Sequence, residues 1–331
     1  MGRPGQMKNK FKIAFAGCKD TTYECIKLML QEGYMPTLLI TISPEMARKN
    51  NVSGYMDLNQ FARDNNIQTY ICDSYSLKSE KDKDFLSENE IDLLLVIGWQ
   101  RLIPEWLLVK LSIGAFGMHG SSQALPFGRG RSPLNWSIIQ DRELFITNLF
   151  KYNPGIDDGD ILDTEVFDIN LFDNGKTLHY KNTLAMVKLL KKNLNNLLQK
   201  NFELKRQLDI DPTYYPKRTT EDGIIFWNKS TKEIYNLIRA VTKPFPGAFT
   251  FYEESKIMIW NAFPFDTRLF DPNIIPGKIL HIFRNGDFLV KTGNGTILVV
   301  EYEFVDKAVL KTGDFLNSAN YVYKNPFNYP E

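Results

Sequence analysis

Two glycine-containing stretches of this 331-residue chain carry side chains suited to acid–base chemistry. Gly117–Trp136 reads GMHGSSQALPFGRGRSPLNW and contains His119, and Asn153–Leu162 reads NPGIDDGDIL and contains Asp157. Glycines let the backbone approach a ligand closely, and loops held by a rigid scaffold often carry functional groups. A histidine and an aspartate from separate loops suit proton transfer and the stabilisation of developing charge. We therefore predict a reaction centre at His119 and Asp157.

Other interpretations of the same residues remain open at this point. The three aspartates of the second stretch could bind Ca²⁺ or Mg²⁺, although the spacing and the closing glutamate of an EF-hand are missing. Ser121 and Ser122 lie near His119, but the G-x-S-x-G elbow of a nucleophilic serine is absent. Alternatively, His119 is a satisfied core side chain and Asp157 caps a turn or a helix. We predict no metal site, since the histidines are scattered and no C-x-x-C pair occurs.

Alternating apolar and amphipathic segments predict the elements that position these loops. Strand, helix and strand in succession indicate a parallel sheet in an α/β fold, in which ligands bind beyond the carboxyl ends of the strands. His119 falls at one of those ends. Two capping boxes, Thr21 with Glu24 and Ser230 with Glu233, predict helix starts. The predicted strands are Phe11–Gly17, Thr37–Thr41, Ile67–Cys72, Ile91–Gly98 and Ala115–His119, and further predicted helices are Asp57–Asn65 and Ile103–Leu111.

The second half of the chain predicts a long helix, a linker and a region rich in β-structure. The helical stretch is Leu178–Asn201, and the polar segment Gln207–Gly223, with its two prolines, is typical of a linker. Asn-Gly pairs at 285–286 and 294–295 favour β-hairpins. We therefore predict a catalytic domain at residues 1–206, a linker at 207–223 and a mostly antiparallel β domain at 224–331.

Charge and composition exclude several classes of protein. The 40 basic and 39 acidic side chains give a net charge of +1, without the basic excess of a dedicated nucleic-acid binder. Apolar residues make up 43% of the chain, but no apolar run reaches the roughly 18 residues that span a bilayer. Three cysteines fit reduced thiols, and Met1–Gln6 lacks the apolar core of a signal peptide. We expect a cytoplasmic protein with no membrane partner.

Several motifs, in their order and spacing, resemble those of the folate-dependent formyltransferase family. That family includes methionyl-tRNA, glycinamide ribonucleotide and amino-sugar formyltransferases, and the resemblance runs from Lys10 to Leu316. The family's N-x-H and L-P-x-x-R-G-x-x-P pattern, its D-x-G-D-I-L loop, its interdomain segment and the start of its C-terminal domain all have counterparts. The matching positions are Gly117–His119 with Leu125–Pro133, Asp157–Leu162, Thr213–Gly223, and Leu237–Ala240 with Pro246–Phe249.

The resemblance implies a fold, a donor and residue roles. The fold is a Rossmann-like parallel-sheet formyltransferase domain followed by a smaller C-terminal open β-barrel domain, similar to an OB fold. The formyl donor is 10-formyltetrahydrofolate, its pteridine contacts the turn Gln100-Arg101-Leu102-Ile103, and the acceptor is a primary amine. His119 stabilises the oxygen that gains negative charge, while Asp157 orients His119 and helps to move the proton of the amine. The related amino-sugar enzymes also imply a homodimer.

One position departs from the family pattern. Gly117 stands where the family has an asparagine, which is a second donor to the same oxygen, and two extra residues follow His119. Glycine has no side chain that donates. Either Ser121, Ser122, Asn135 or a backbone N–H replaces the donor, or the activity is altered or lost. Because the histidine and the aspartate are both kept, we expect an altered but active site.

The charge of one segment predicts the kind of acceptor. Methionyl-tRNA formyltransferases carry a basic loop between the second strand and the following helix, and phosphate contacts supply much of the affinity for RNA. Here that segment, Ser43–Met56, has only Arg48 and Lys49 against Glu45. We therefore predict a nucleotide-linked amino sugar as the acceptor. The alternatives are tRNA as the acceptor and, given Gly117, a non-catalytic homologue that binds folate or nucleotide.

Overall fold

A computed structural model describes residues 11–305, 309–318 and 321 of the chain. They form two compact units that alternate along the sequence. The segment Met1–Gln6 lies outside the described residues, and the predicted domain boundaries at 206 and 223 stay a prediction. The first unit contains the chain up to Arg129, Ile146–Phe167 and Lys181–Thr213, and the second contains Gly130–Phe145, Asp168–Tyr180 and the chain from Tyr214 onward.

The first unit is built on a mixed α/β sheet, which confirms the predicted fold class. The strands up to residue 168 are β1 (Ile13–Ala16), β2 (Leu38–Thr41), β3 (Gln68–Ile71), β4 (Leu93–Val96), β5 (Gly114–Ser121), β6 (Arg129–Gly130), β7 (Leu144–Lys151) and β8 (Ile161–Asp168). Their order in the sheet is β3-β2-β1-β4-β5-β7-β8, and β6 is not part of it. The first five are parallel, whereas β7 runs antiparallel to β5. The sequence had predicted neither β7 nor β8.

Helices cover both faces of this sheet. The α-helices in the described part of the chain are α1 (Asp20–Gln31), α2 (Pro44–Lys49), α3 (Asn59–Asp64), α4 (Glu80–Glu88), α5 (Glu105–Leu108), α6 (Pro133–Ile139), α7 (Gly175–Leu198) and α8 (Thr231–Val241), of which α6 and α8 belong to the second unit. On one face, Phe15 packs in a core with Ile26 of α1 and Leu189 of α7. On the other, Leu94 packs with Leu107 of α5. Strands β1, β2 and β4 are therefore buried along their whole length.

The predicted capping box at Thr21 and Glu24 is wrong. Helix α1 begins at Asp20, so Thr21 already lies in its first turn. The Oγ1 atom of Thr22 accepts a hydrogen bond from the N–H of Lys19 at 3.3 Å and donates one to the carbonyl of Ile97 at 2.6 Å. The first turn is thus fixed by a tertiary contact to the end of β4, which local spacing does not reveal.

The second unit contains a curled antiparallel sheet, as the sequence predicted for the C-terminal part. Its strands are β10 (Ala248–Tyr252), β11 (Ser255–Pro264), β12 (Ile279–Ile282), β13 (Phe288–Lys291), β14 (Thr296–Phe304) and β15 (Leu316–Asn317), in the order β12-β13-β14-β11-β10-β15, while β9 (Tyr214–Tyr215) pairs with β6. A register shift beside Asn261 bends β11 against β14. The hairpins at both Asn-Gly pairs are confirmed.

The helix of the second unit begins as predicted. The hydroxyl of Ser230 accepts a hydrogen bond from the N–H of Glu233 at 3.2 Å, and the Glu233 carboxylate accepts one from the N–H of Ser230 at 3.0 Å. This reciprocal pair confirms the second capping box at the start of α8. Within the described part of the chain, no helix is long and apolar enough to cross a bilayer.

Candidate active site

His119 lies just beyond the parallel part of the sheet. Strand β5 pairs with β4 as far as Gly117 and continues alone alongside β7, where His119 lies opposite Asn148. The histidine therefore extends past the carboxyl end of the parallel ladder, which is where ligands bind in open α/β sheets. Its side chain is only 7% exposed. The structure places His119 at the sheet edge that the sequence predicted.

Both nitrogens of the His119 ring face hydrogen-bond acceptors. Nδ1 lies 3.3 Å from Oδ2 of Asp157, and Nε2 lies 2.7 Å from the carbonyl oxygen of Gly128. A protonated imidazole donates to both acceptors at once, whereas a neutral ring donates to one of them. The two stretches singled out in the sequence therefore meet at this ring.

Gln207 connects the two glycine-containing stretches. Its amide donates to the carbonyls of Asp157 and Gly159 at 2.8 and 2.7 Å, and its Oε1 accepts from Nη2 of Arg129 at 2.6 Å. The backbone around these groups is tightly constrained: a Cβ on Gly159 would lie 1.6 Å from the carbonyl oxygen of Lys151. Sequence reasoning had assigned Gln207 only to the start of a linker.

The other aspartates of the second stretch do not form a metal site in the described residues. No cluster of three or more histidine, cysteine or carboxylate side chains is arranged there to hold a metal ion. The Oδ1 atom of Asp158 is buried and has no hydrogen-bond partner among the described residues. Asp160 contributes its carbonyl to the backbone, where it accepts from the N–H of Lys151 at 2.9 Å.

The predicted pteridine turn begins at Gln100, a short distance after β4 ends at Val96. The N–H of Gln100 donates to the hydroxyl of Tyr75 at 3.1 Å. The Arg101 guanidinium lies 4.7 Å from the centre of the Tyr75 ring. Leu102 is 46% exposed, whereas Ile103 is buried in the core. The turn thus exposes one apolar side chain, that of Leu102, while its backbone is anchored by a hydrogen bond and by the buried Ile103.

The space beside Gly117 is filled by an aromatic ring. A Cβ at this position would lie 2.4 Å from Cε2 of Tyr152 and 2.6 Å from the carbonyl of Val96. An asparagine cannot occupy the site with Tyr152 in place. Of the replacements considered, the Asn135 amide donates to the carbonyl of Ala240 at 2.7 Å, and the Ser121 hydroxyl accepts a backbone N–H. Tyr152 was not predicted from the sequence. Its proximity to Gly117 arises only when the two neighbouring strands pair.

Similar proteins point to one family. Residues 217–320 match the family model described as formyl transferase, C-terminal domain. A methionyl-tRNA formyltransferase from Ruminiclostridium cellulolyticum is 28% identical over 306 residues, which cover 92% of this chain and 96% of that protein. The bifunctional polymyxin resistance protein ArnA from Wigglesworthia glossinidia brevipalpis is 35% identical over 198 residues, which are 60% of this chain and 29% of that protein.

A solved structure shares the fold. An N-formyltransferase from Helicobacter canadensis, in complex with folinic acid and dTDP-3-aminofucose, aligns with a TM-score of 0.63 at 19% identity. The alignment covers 88% of this chain and 100% of that chain. At this identity the likeness concerns the fold alone.

Proposed function

We propose, on the premise that this chain belongs to the folate-dependent formyltransferase family, that it transfers a formyl group from 10-formyltetrahydrofolate to a primary amine. The observation that carries the proposal is the 3.3 Å contact between His119 Nδ1 and Asp157 Oδ2 at the sheet edge. A carboxylate fixes the orientation of the ring and balances the positive charge that the ring gains when it holds a proton.

The residues take the following roles in transfer. The amine nitrogen forms a bond to the formyl carbon, whose oxygen becomes negatively charged. His119 donates a hydrogen bond to that oxygen from Nε2, in place of its bond to the Gly128 carbonyl. The bond from the carbon to the folate nitrogen then breaks and leaves its electron pair on that nitrogen. Asp157 helps to carry the proton from the amine to the folate nitrogen, so that the products are a formamide and tetrahydrofolate.

We place the pteridine at the turn Gln100-Arg101-Leu102-Ile103. The exposed Leu102 side chain offers an apolar contact to a flat ring, and the buried Ile103 keeps the turn rigid. The Helicobacter canadensis enzyme was crystallised with folinic acid, a formylated folate, which supports a folate as the donor here.

The acceptor we propose is a nucleotide-linked amino sugar. In the segment predicted to bear any basic loop, Arg48 forms an ion pair with Glu45 at 3.2 Å, which leaves little net positive charge for an RNA backbone. The Helicobacter canadensis enzyme holds dTDP-3-aminofucose. A cytoplasmic location fits the three free, buried cysteines, and the homodimer stays a prediction.

Charged methionyl-tRNA is the second candidate acceptor. It is favoured by the match to a methionyl-tRNA formyltransferase over 96% of that protein. A sugar amine and an aminoacyl-tRNA offer the same nucleophile, so only turnover measurements separate them.

Turnover with matched variants tests the proposal. The protein is incubated with 10-formyltetrahydrofolate and either nucleotide amino sugars or charged methionyl-tRNA, and folate absorbance is followed. We expect turnover with a nucleotide amino sugar, and in His119→Ala a loss of about 100- to 1000-fold in kcat with folate binding preserved. His281→Ala, at an exposed position of β12, is the control and keeps full activity. Folate binding without turnover on any amine would contradict formyl transfer. It would favour the alternative of a non-catalytic homologue that binds folate.

A further inference from the structure

Tyr152 lies beside Gly117, the position at which this sequence lacks the asparagine donor of the family pattern. It follows β7, and its N–H donates to the carbonyl of Ala115 at 2.8 Å, so it lies alongside the same stretch of β5 that carries Gly117. Cζ, the ring carbon that bears the hydroxyl, lies 3.1 Å from where a Cβ of Gly117 would be. Because side chains two residues apart on a strand share a face, this is also the face of His119.

The ring of Tyr152 is fixed while its hydroxyl is left available. The ring stacks on Phe150 with centroids 5.1 Å apart and planes 14° from parallel. Among the described residues, no group forms a hydrogen bond with its hydroxyl oxygen. Tyr152 is partly exposed, so its hydroxyl is open to a ligand. A fixed ring with an unused hydroxyl is what a preorganised donor requires, because no reorganisation is needed when charge develops.

The surroundings keep this hydroxyl protonated. Burial raises the pKa of Tyr152, and the negative charge of Asp157 raises it further. A phenol that retains its proton at neutral pH can only act as a donor towards an oxyanion. Asp157 is also the carboxylate that contacts His119, so the same negative charge acts on both side chains.

We propose that Tyr152 is a catalytic residue whose hydroxyl donates a hydrogen bond to the formyl oxygen alongside His119. This inference rests on the proposed formyl transfer. Glycine at 117 is then a requirement of the arrangement, since any side chain there would displace the ring. The donor thus comes from the strand beside β5 instead of from β5 itself. In the transfer step the hydroxyl keeps its proton throughout, and no bond to it is made or broken.

The test removes one oxygen atom. Tyr152→Phe keeps the ring and its stacking on Phe150, and Tyr302→Phe makes the same change at a half-buried tyrosine of β14 whose hydroxyl donates to the carbonyl of Gly286. We expect kcat to fall about 100-fold in Tyr152→Phe, with KM for the amine little changed, and to remain unchanged in Tyr302→Phe.

A second measurement does not depend on turnover. The infrared stretch of a carbon-13-labelled formyl group is recorded in bound 10-formyl-5,8-dideazafolate, a stable formylated folate analogue. A hydrogen bond to the formyl oxygen lowers this frequency, so we expect a higher frequency in Tyr152→Phe than in the unaltered protein and in Tyr302→Phe. Affinity for tetrahydrofolate, which has no formyl group, should be equal in all three.

The outcomes separate the two proposals. An unaltered kcat in Tyr152→Phe, or a reduced kcat with an unmoved formyl frequency, overturns the assignment of Tyr152 while formyl transfer stands. Absence of turnover in the unaltered protein overturns formyl transfer, and the infrared shift then still decides whether the hydroxyl contacts the formyl group. Absence of any folate binding overturns both.

Discussion

At the proposed reaction centre, the His119 ring lies between a carboxylate and a carbonyl. Asp157 lies at Nδ1 and Gly128 at Nε2, and Gln207 ties the backbones of the two loops together. The ring is therefore oriented before any substrate arrives, which lowers the cost of organising the site during the reaction. A formyl oxygen can accept a hydrogen bond from Nε2 only if it takes the place of the Gly128 carbonyl. The backbone φ of Gly128 is 69°, which lies in the left-handed region.

Replacing one oxygen of Asp157 by nitrogen should separate charge from shape. The backbone φ of Asp157 is 48°, a conformation that asparagine also tolerates, so Asp157→Asn should fold normally. We expect kcat to fall about 100-fold or more, since the variant neither balances the charge on His119 nor takes up a proton. Steady-state kinetics and folate affinity are the measurements. Asp163→Asn, on strand β8 that follows the loop, is the control, and an Asp157→Asn variant as active as the unaltered protein would remove Asp157 from the mechanism.

The structure brings together the two residues that the sequence proposed as central, His119 and Asp157, whereas the residues that support them were not predicted. His119 and Asp157 stand in stretches whose glycine and proline content is visible in the sequence alone. Gln207 and Tyr152 act through contacts with residues 48 and 35 positions away (Gly159 and Gly117). Such contacts depend on which strands become neighbours, and the pairing of β5 with β7 was not predicted. Strand pairing in the sheet, and not spacing along the sequence, therefore determines which side chains meet at the site.

At the scale of elements, β5 continues beyond the end of its parallel partner β4 and so carries His119 past the parallel ladder. Its first four residues pair with β4 in parallel, and its residues from Phe116 to Ser121 pair with β7 in the antiparallel sense, so that only β7 accompanies it beyond Gly117. Local signals predicted the elements whose ends are fixed by local hydrogen bonds, such as α8 and the two Asn-Gly hairpins. They misplaced the start of α1, where Thr22 bonds to Ile97, and they missed α2 and α4, two short helices capped by Ser43 and Ser79.

The cap of α8 should make a pH-dependent contribution to stability. Hydrogen bonds from Ser230 lower the pKa of Glu233. A lowered pKa means that the stabilisation is present above the unfolded value of about 4.3 and is lost as the pH falls through the folded value. Glu233→Gln should therefore reduce the free energy of unfolding by about 0.3–1 kcal/mol at pH 7, and by less at pH 4.

Urea unfolding at the two pH values measures this difference. Glu254→Gln, in the exposed turn between β10 and β11, controls for the loss of one negative charge and should change stability little at either pH. A deficit of the Glu233→Gln variant that is the same at pH 4 and pH 7 would mean that the charge of the cap contributes nothing.

At the scale of the whole molecule, the net charge influences how strongly a polyanionic acceptor such as RNA would bind. With 40 basic and 39 acidic side chains the chain has almost no net field to attract a polyanion. Many of the cations are also paired, as in the contacts of Lys188 with Glu165 and Lys191 with Glu32. Composition predicted this property directly, because a sum over side chains needs no knowledge of the fold.

Salt dependence should therefore distinguish the acceptors. For a nucleotide amino sugar with two phosphates, we expect kcat/KM to fall less than about tenfold between roughly 50 and 200 mM salt. An RNA acceptor held by six to ten phosphate contacts would lose about 10³- to 10⁵-fold over the same range. Initial rates at a fixed folate concentration give the slope, with the donor's own salt dependence measured as a control. A steep loss would reverse the assignment of the acceptor.

The three buried cysteines can serve as internal probes of local opening of the folded core. Burial raises the pKa of the Cys25 thiol and of the Cys72 thiol to about 12 each, so the reactive thiolate is scarce in the folded state. A maleimide then reacts only when the surrounding core transiently opens. Because Cys25 lies on α1 and Cys72 directly follows β3, their separate alkylation rates report the opening free energies of two regions of the sheet without any introduced probe.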